Sequence, residues 1–509
     1  MKKEVSFPPS SRKTDKVQVV AIGASAGGLE ALKAFFLNLP AATGRAFVVI
    51  QHLSPDFKSM MGELLERVTK LPIVEVTEAM EAQPDHIYLI PPVYNLLYQD
   101  GKLQPTEKPK NHTLNLPIDL FFESLSRELK EDAIGVILSG TGSDGTRGSR
   151  AIKEKDGMIM VQDPKEAQFN GMPQSAIGTG LVDYVLSVKK MGEELSNFFT
   201  AQTVFHFKDG DVEQDRTELM KILSYVDKNM GLDFREYKRA TLARRVARRV
   251  QVCKSPSLSE YLEYLKSNKE EVEILYREFL IGVTRFFRDP QVWEVLKNEV
   301  FPELVRKTPN GETLKLWNVA CSTGEEPYSF AICLLEEIEK QKKTVGLKIF
   351  ATDISKEHLA IAGNGFYPET IAADVPPELL VKYFHQKTGS YVVNEKVRNS
   401  VIFSMHNVIK NPPFSKMDLV SCRNLLIYFQ PNIQKKALDF LHFSLKKEGI
   451  LVLGTSESVT SHENYFEVVN RKWKIYRNVQ PSKTINNTNI AMRQNTTIHN
   501  SASVVSRKI

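Results

Sequence analysis

Two stretches of this chain alternate short apolar runs with helical patterns, and in each a strand-like run leads straight into a turn built from small residues. In the first, Val17–Ile22 leads into Gly23-Ala24-Ser25-Ala26-Gly27-Gly28. In the second, Leu314–Val319 leads into Ala320-Cys321-Ser322-Thr323-Gly324. A strand, a tight turn and a helix make up the repeating unit of a parallel sheet, whose neighbouring strands need a long crossover. Further runs extend each pattern: Ala46–Ile50, His86–Ile90 and Ala133–Leu138 in the first, Leu347–Ala351, Met417–Cys422 and Ile450–Leu453 in the second. The expected fold class is therefore α/β, with two such domains in one polypeptide: a doubly wound parallel sheet first and a Rossmann-like sheet second.

Between them, 216–285 reads as a small all-α segment without strand-like runs. The expected division is a disordered head at 1–15, a first domain at 16–200, and a polar linker at 201–215. The helical segment and a second domain at 286–478 follow, and a disordered tail at 479–509 is rich in Asn, Thr and Ser. A chain of 509 residues with 42% apolar content supports several ordinary cores. No apolar run approaches the ~18 residues that span a bilayer, and the polar, basic start lacks a signal-peptide core. Four scattered cysteines form neither a zinc pattern nor a disulfide framework. These features lead to the expectation of a cytoplasmic protein with no membrane insertion and no metal. The net charge of +6 is small for this length and gives no nucleic-acid signal by itself.

Gly23-Ala24-Ser25-Ala26-Gly27 fits the G-x-S-x-G pattern at a strand-to-helix turn. Small neighbours allow the turn to push the serine hydroxyl out of the sheet's end, and the free N–H groups of the following helix face the same space. Such a turn also serves to bind phosphate. Two further residues favour hydrolysis. His52 follows one strand directly, and Asp144 lies in Ser139–Gly148 after another. Ligand and catalytic groups of open parallel sheets gather beyond the carboxyl ends of strands, so Ser25, His52 and Asp144 are expected to converge as nucleophile, base and orienting carboxylate. The order Ser…His…Asp differs from that of the α/β-hydrolases.

Residues 17 to about 190 resemble the chemotaxis protein-glutamate methylesterases (CheB type), through Gly23–Gly28, Gln51-His52, Pro117–Phe122 and Leu138–Gly148. The resemblance implies removal of methyl groups from receptor glutamate esters, and deamidation of glutamine in some members. It gives Ser25, His52 and Asp144 the roles already inferred. Regulated members carry a receiver domain ahead of the esterase; only about sixteen residues precede the first strand here, so that switch is expected to be absent.

In the second region the small residues after Val319 let the backbone approach a ligand closely, and Asp353 falls where a βαβ unit presents an acid to ribose hydroxyls. There is no G-x-G-x-x-G motif and no Walker lysine, which favours an adenosylmethionine site over NAD or ATP. Residues 216–478 resemble the chemotaxis receptor methyltransferases (CheR type). The matching pieces are Thr284–Arg288, Ser322–Ser329, Ala351–Asp353, Asn407 and Ser421–Phe429. The resemblance implies S-adenosyl-L-methionine as cofactor, with contacts at Thr284, Arg288, Glu326, Asp353, Asn407, Val408, Cys422 and Arg423. It also places Arg288 and Tyr428 facing the transferred methyl. Where many relatives have Asn, this chain has Gly282, so that contact is not carried over.

Arg244, Arg245, Arg248 and Arg249 form two i,i+4 pairs and hence one basic stripe on a helix. Its expected partner is an acidic receptor helix bearing the substrate glutamates; a solvated face and an RNA-binding arm are the alternatives. The expected function is a bifunctional enzyme that methylates glutamates of a methyl-accepting chemotaxis-type receptor and hydrolyses the esters. The alternatives are a signalling scaffold with one inactive site and a methyltransferase acting on another protein or on nucleic acid.

Overall fold

Val19–Ala24 (β1) is buried along its whole length, as a central strand covered on both faces must be. The computed structural model describes residues 17–40, 43–52, 60–108, 114–202 and 213–480. The head expected at 1–15, most of the linker expected at 201–215 and the tail from 481 onward lie outside these.

Around β1 assemble Ala46–Gln51 (β2), Ile73–Glu75 (β3), Ile87–Leu89 (β4), Ile134–Ile137 (β5), Met158–Gln162 (β6) and Tyr184–Leu186 (β7). All pairings are parallel and the order is β7-β6-β5-β1-β2-β4-β3. The order reverses at β1, so the crevice at its carboxyl end is a topological switch point. Alternate residues of β1 separate two cores. Val19 and Ala21 pack with Phe121 and Phe122 of Pro117–Leu129 and with Ile152 of Thr146–Glu154. Val20 and Ile22 pack with Leu32 and Phe35 of Gly28–Leu37 and with Met191 and Leu195 of Val188–Gln202. We call these helices α1 (Gly28–Leu37), α2 (Pro117–Leu129), α3 (Thr146–Glu154) and α4 (Val188–Gln202). The expected doubly wound sheet is thus present. A hairpin absent from the expectation, Tyr94–Gln99 with Lys102–Glu107, turns on Asp100 and Gly101, both at positive φ. An Asp-Gly pair is the signal for that turn.

The all-α segment consists of Glu213–Met230 (α5), Arg239–Val252 (α6), Leu258–Ser267 (α7) and Lys269–Phe279 (α8). Ser257 and Asn268 cap α7 and α8, accepting hydrogen bonds from the N–H groups of Glu260 and Glu271. The second sheet contains Thr313–Val319 (β8), Gly346–Asp353 (β9), Val401–Met405 (β10), Met417–Cys422 (β11), Leu445–Leu453 (β12), Phe466–Asn470 (β13) and Ile475–Asn478 (β14), in the order β10-β9-β8-β11-β12-β14-β13. The first five are parallel and the last two pair antiparallel. Glu325–Lys340 (α9) follows β8 after a turn in which Ala320, Ser322 and Gly324 all adopt positive φ. One hydrophobic core runs from Val226, Leu242 and Phe279 of the helices into Val420, Leu438 and Leu451 of the sheet domain.

Candidate active sites

β1, β2 and the loop after β5 bring the three predicted residues together. The His52 ring faces Ser25 Oγ with Nδ1 at 3.2 Å and Asp144 Oδ2 with Nε2 at 2.9 Å. Asp144 is buried and accepts from the N–H groups of Ile118, Asp119 and Gly145 at 3.0, 2.9 and 2.8 Å. Three backbone donors fix the carboxylate, and a carboxylate at Nε2 selects the tautomer with its proton there, leaving Nδ1 to accept from the serine. The Ser25 N–H donates to Ser139 O at 3.0 Å, so this donor is already used; the opening turn of α1 supplies others. Gly140 allows the close approach, since a Cβ there would lie 2.9 Å from Ser25 Cβ and 2.1 Å from Met172 Sδ. Asp119, within the stretch Pro117–Phe122, has a part of its own. Burial, together with the Asp144 carboxylate, holds its carboxyl well above the ordinary range, and Oδ1 accepts from Gly148 N at 2.7 Å. It anchors α3 beside the triad.

The second site is a cleft of about 120 Å³ at the carboxyl ends of β8, β9 and β11. All of the predicted contacts except Cys422 line it: Thr284, Arg288, Glu326, Asp353, Asn407, Val408 and Arg423, together with Tyr428. Cys422 ends β11 just beneath and is buried. Asp353 ends β9; its oxygens accept from Ser322 N at 2.8 Å and Ser355 N at 2.9 Å, which leaves lone pairs for a ligand. Glu326 is heavily committed within the protein, accepting from Asn318 Nδ2 (2.7 Å), Ser421 Oγ (2.6 Å) and Arg423 Nη1 (2.9 Å). Arg423 also holds Asp289 at 2.7 Å, so Glu326 and Arg423 mainly brace the wall of the cleft. Gly282 replaces a ligand contact with a backbone one: its carbonyl accepts from Ser322 Oγ at 3.2 Å, and a Cβ would meet that hydroxyl at 2.6 Å and His358 at 2.9 Å. His358, 4.0 Å from Asp353, and Tyr237 line the cleft as well, and sequence reasoning missed both. His358 lies on the helix after Asp353, and Tyr237 before α6, and neither belongs to a motif.

The cleft fits an adenosyl group. Besides the part-used carboxylate of Asp353, three lining residues carry buried polar atoms with no hydrogen-bond partner: His406 Nδ1, Arg245 Nη2 and Arg423 Nε. Such atoms call for a polar ligand.

The arginine stripe departs from expectation. Its expected partner is an acidic receptor helix, but the first domain covers Arg244, Arg245 and Arg248. Arg244 and Arg245 bind the Asp156 carboxylate at 3.0 and 3.2 Å. Arg248 donates to the carbonyls of Asp156 and Gly157. Arg249 turns inward and is buried against Glu271 at 2.7 Å. Helical periodicity gave the stripe; the acid that covers it is 88 residues away. The contact continues with Lys153–Glu278 (3.5 Å), Arg288–Glu154 (2.5 Å), Arg147–Asp374 (3.1 Å) and Arg285–Glu123 (3.4 Å).

Comparison with known proteins agrees with this division. Residues 20–195 match the model of the CheB methylesterase, 217–280 that of the CheR methyltransferase all-alpha domain, and 282–475 that of the CheR methyltransferase SAM binding domain. An uncharacterised 104.1 kDa protein of Rhodobacter capsulatus is 37% identical over 83% of the chain, which spans 46% of that protein's length. A chemotaxis protein methyltransferase of Borreliella burgdorferi is 31% identical over 49% of the chain and 90% of its own length. A Leptospira interrogans protein named as a protein-glutamate methylesterase/protein-glutamine glutaminase is 37% identical over 35% of the chain and 92% of its own. No helix among the described residues is long and apolar enough to cross a membrane.

Proposed function

Because this chain belongs to both the CheB methylesterase and the CheR methyltransferase families, fused in one polypeptide, we propose that it forms and hydrolyses methyl esters on glutamate side chains of one chemotaxis-type receptor. The acceptor glutamates would lie on the receptor's helical cytoplasmic region, and the enzyme would work in the cytoplasm. The observation that carries this reading is the coexistence of an assembled Ser25–His52–Asp144 relay with an Asp353-floored cleft that holds Arg288 and Tyr428.

In hydrolysis, His52 Nδ1 takes the Ser25 proton as Oγ attacks the ester carbonyl. The imidazolium, steadied by Asp144, then protonates departing methanol. Water hydrolyses the acyl-serine by the same relay run in reverse. Unpaired N–H groups of the opening turn of α1 would stabilise the developing oxyanion. The intact relay supports an active esterase over a scaffold with a silent site.

In methylation, S-adenosylmethionine supplies when bound an electrophilic methyl on a sulfonium. Asp353 would hold its ribose hydroxyls, with Thr284, Asn407 and Val408 along the cleft. Arg288 would receive the acceptor carboxylate, and Tyr428, whose phenol is pushed up by burial, stays neutral beside it. A carboxylate is already a nucleophile, so alignment and exclusion of water are enough and no base is required.

The test uses labelled S-adenosylmethionine and receptor-bearing membranes. Label should enter the receptor and leave as methanol, and Ser25→Ala should stop only the second step. If label never enters receptor glutamates, the methyltransferase half of the reading is wrong.

A further inference from the structure

The helix that starts beside the esterase triad ends in the mouth of the methyltransferase. α3 begins at Thr146, two residues after Asp144, and its last residue is Glu154. The carboxylate of Glu154 lies on Arg288 Nη2 at 2.5 Å, and both side chains are largely buried (15% and 16% exposed). The same guanidinium donates through Nη1 to Val283 O at 2.7 Å, which fixes its plane and aims Nη2 outward from its own domain. Arg288 lines both the cofactor cleft and a larger cavity of about 390 Å³ between the domains, which Glu154 also lines. Glu154 is close enough to Tyr428 for its charge to raise that phenol further. A glutamate carboxylate, carried on a helix, therefore already faces the arginine and tyrosine that flank the transferred methyl.

We propose that Glu154 is a built-in substrate mimic: it occupies the acceptor-carboxylate seat of the methyltransferase and closes that site to the receptor. The inference rests on the methyltransferase reading above. Chemically the mimic is a glutamate side chain like the acceptor, and its carboxylate fills the space at Arg288 Nη2 that an acceptor carboxylate would need. The surrounding contacts hold it there. Asp156, two residues on, takes Arg244 and Arg245, and Lys153, one residue before, is buried between Asp183 (2.7 Å) and Glu278 (3.5 Å). The closed arrangement thus covers the basic stripe and the acceptor seat together. An acceptor carboxylate must displace Glu154 from Arg288 before it is methylated. An enzyme that carries opposed activities thereby keeps one of them shut until the substrate competes for entry.

The test compares the wild-type chain with Glu154→Ala and the isosteric Glu154→Gln, using a synthetic helical peptide that carries a Glu-Glu pair. Peptide affinity is read by fluorescence anisotropy without cofactor, and peptide KM by methyl transfer. Competition for one seat lowers apparent affinity by the fraction of enzyme that is open. Both variants should therefore bind the peptide about tenfold tighter or better, a difference of ~1.4 kcal/mol, with KM lowered in parallel and S-adenosylmethionine affinity unchanged. Methanol release by each variant reports that the first domain is folded. Equal anisotropy curves for wild type and both variants overturn the proposal, whether or not any of them transfers methyl. Absence of methyl transfer from all three, with the affinity gain present, would leave the mimic standing and count against the methyltransferase reading instead.

Discussion

Replacing Asp353 by Ala should change cofactor binding and stability through different contacts. Each carboxylate oxygen already accepts one backbone N–H, from Ser322 and Ser355, in the wall of the cleft. The remaining lone pairs are those assigned to the two ribose hydroxyls. A hydrogen bond to a charged group contributes about 1.5–3 kcal/mol, so D353A should weaken S-adenosylmethionine by roughly 10- to 150-fold. Stability falls for a different reason: the Ser322 N–H, on a buried residue at positive φ, loses its acceptor, at about 1–3 kcal/mol. D353N keeps one acceptor oxygen and turns the other into a donor. It should therefore hold the fold better than D353A while still losing about tenfold in affinity. Calorimetric titration with S-adenosylmethionine reads the first effect, and thermal unfolding reads the second. Unchanged cofactor affinity in D353A, with the expected drop in Tm, would refute the ribose role and leave Asp353 as a purely structural clamp on the turn.

Other outcomes follow from the same geometry. Ser25→Ala should reduce methanol release by on the order of 10⁶ and leave S-adenosylmethionine affinity alone; a rate within tenfold of wild type would dismiss the nucleophile. Asp374, which meets Arg147 across the domain contact, has its carboxyl pushed up to about 6 because burial outweighs the nearby Arg147 and Arg285 guanidiniums. Its folded pKa is raised, so its stabilising contribution is complete below the ordinary Asp value and is lost as pH rises through about 6. Relative to D374N, the wild type should lose up to about 3 kcal/mol between pH 4 and 7, and parallel Tm profiles would count against this. Glu271→Ala strands the buried Arg249 and removes the acceptor of the Tyr261 hydroxyl, so it should destabilise by about 3–5 kcal/mol. Thermal unfolding checks it, and methanol release should stay normal.

The triad was legible because Ser25 and His52 directly follow buried strands and Asp144 lies in the glycine-rich loop after a third, so that local sequence and position agree. β1 itself runs two residues later than the apolar run suggests, since its ladder with β2 continues through Gly23 and Ala24 to Gln51. A turn motif read as loop was partly strand. β3 and β7, three residues each, are too short for periodicity to register. Glu326 and Arg423 line the cleft, yet they bond each other and neighbouring protein groups, and a motif does not say which of its polar groups face inward. The arginine stripe is the clearest case. Spacing showed that four cations share a helix and is silent on Asp156, which a separate domain supplies. Glu154 escaped notice for the same reason: it sits in an ordinary helical stretch, and only the packing of two domains gives it a role.

The two seams in this chain differ in what water can do to them. Between the first domain and the rest run ion pairs such as Arg244–Asp156, Arg288–Glu154 and Arg147–Asp374, whose charges water can solvate once the two parts separate. Between the helical segment and the second sheet lies shared apolar core, reinforced where Lys238 N donates to Tyr428 O and Tyr237 bridges Phe429. Exposing each large side chain there would cost about 1.5–3 kcal/mol. The break that leaves both halves closed therefore falls between Gln202 and Glu213, not at the helix-to-sheet boundary near 281. In recombination, the helices and the sheet they cap are a single transferable cassette, while the esterase is a separable one.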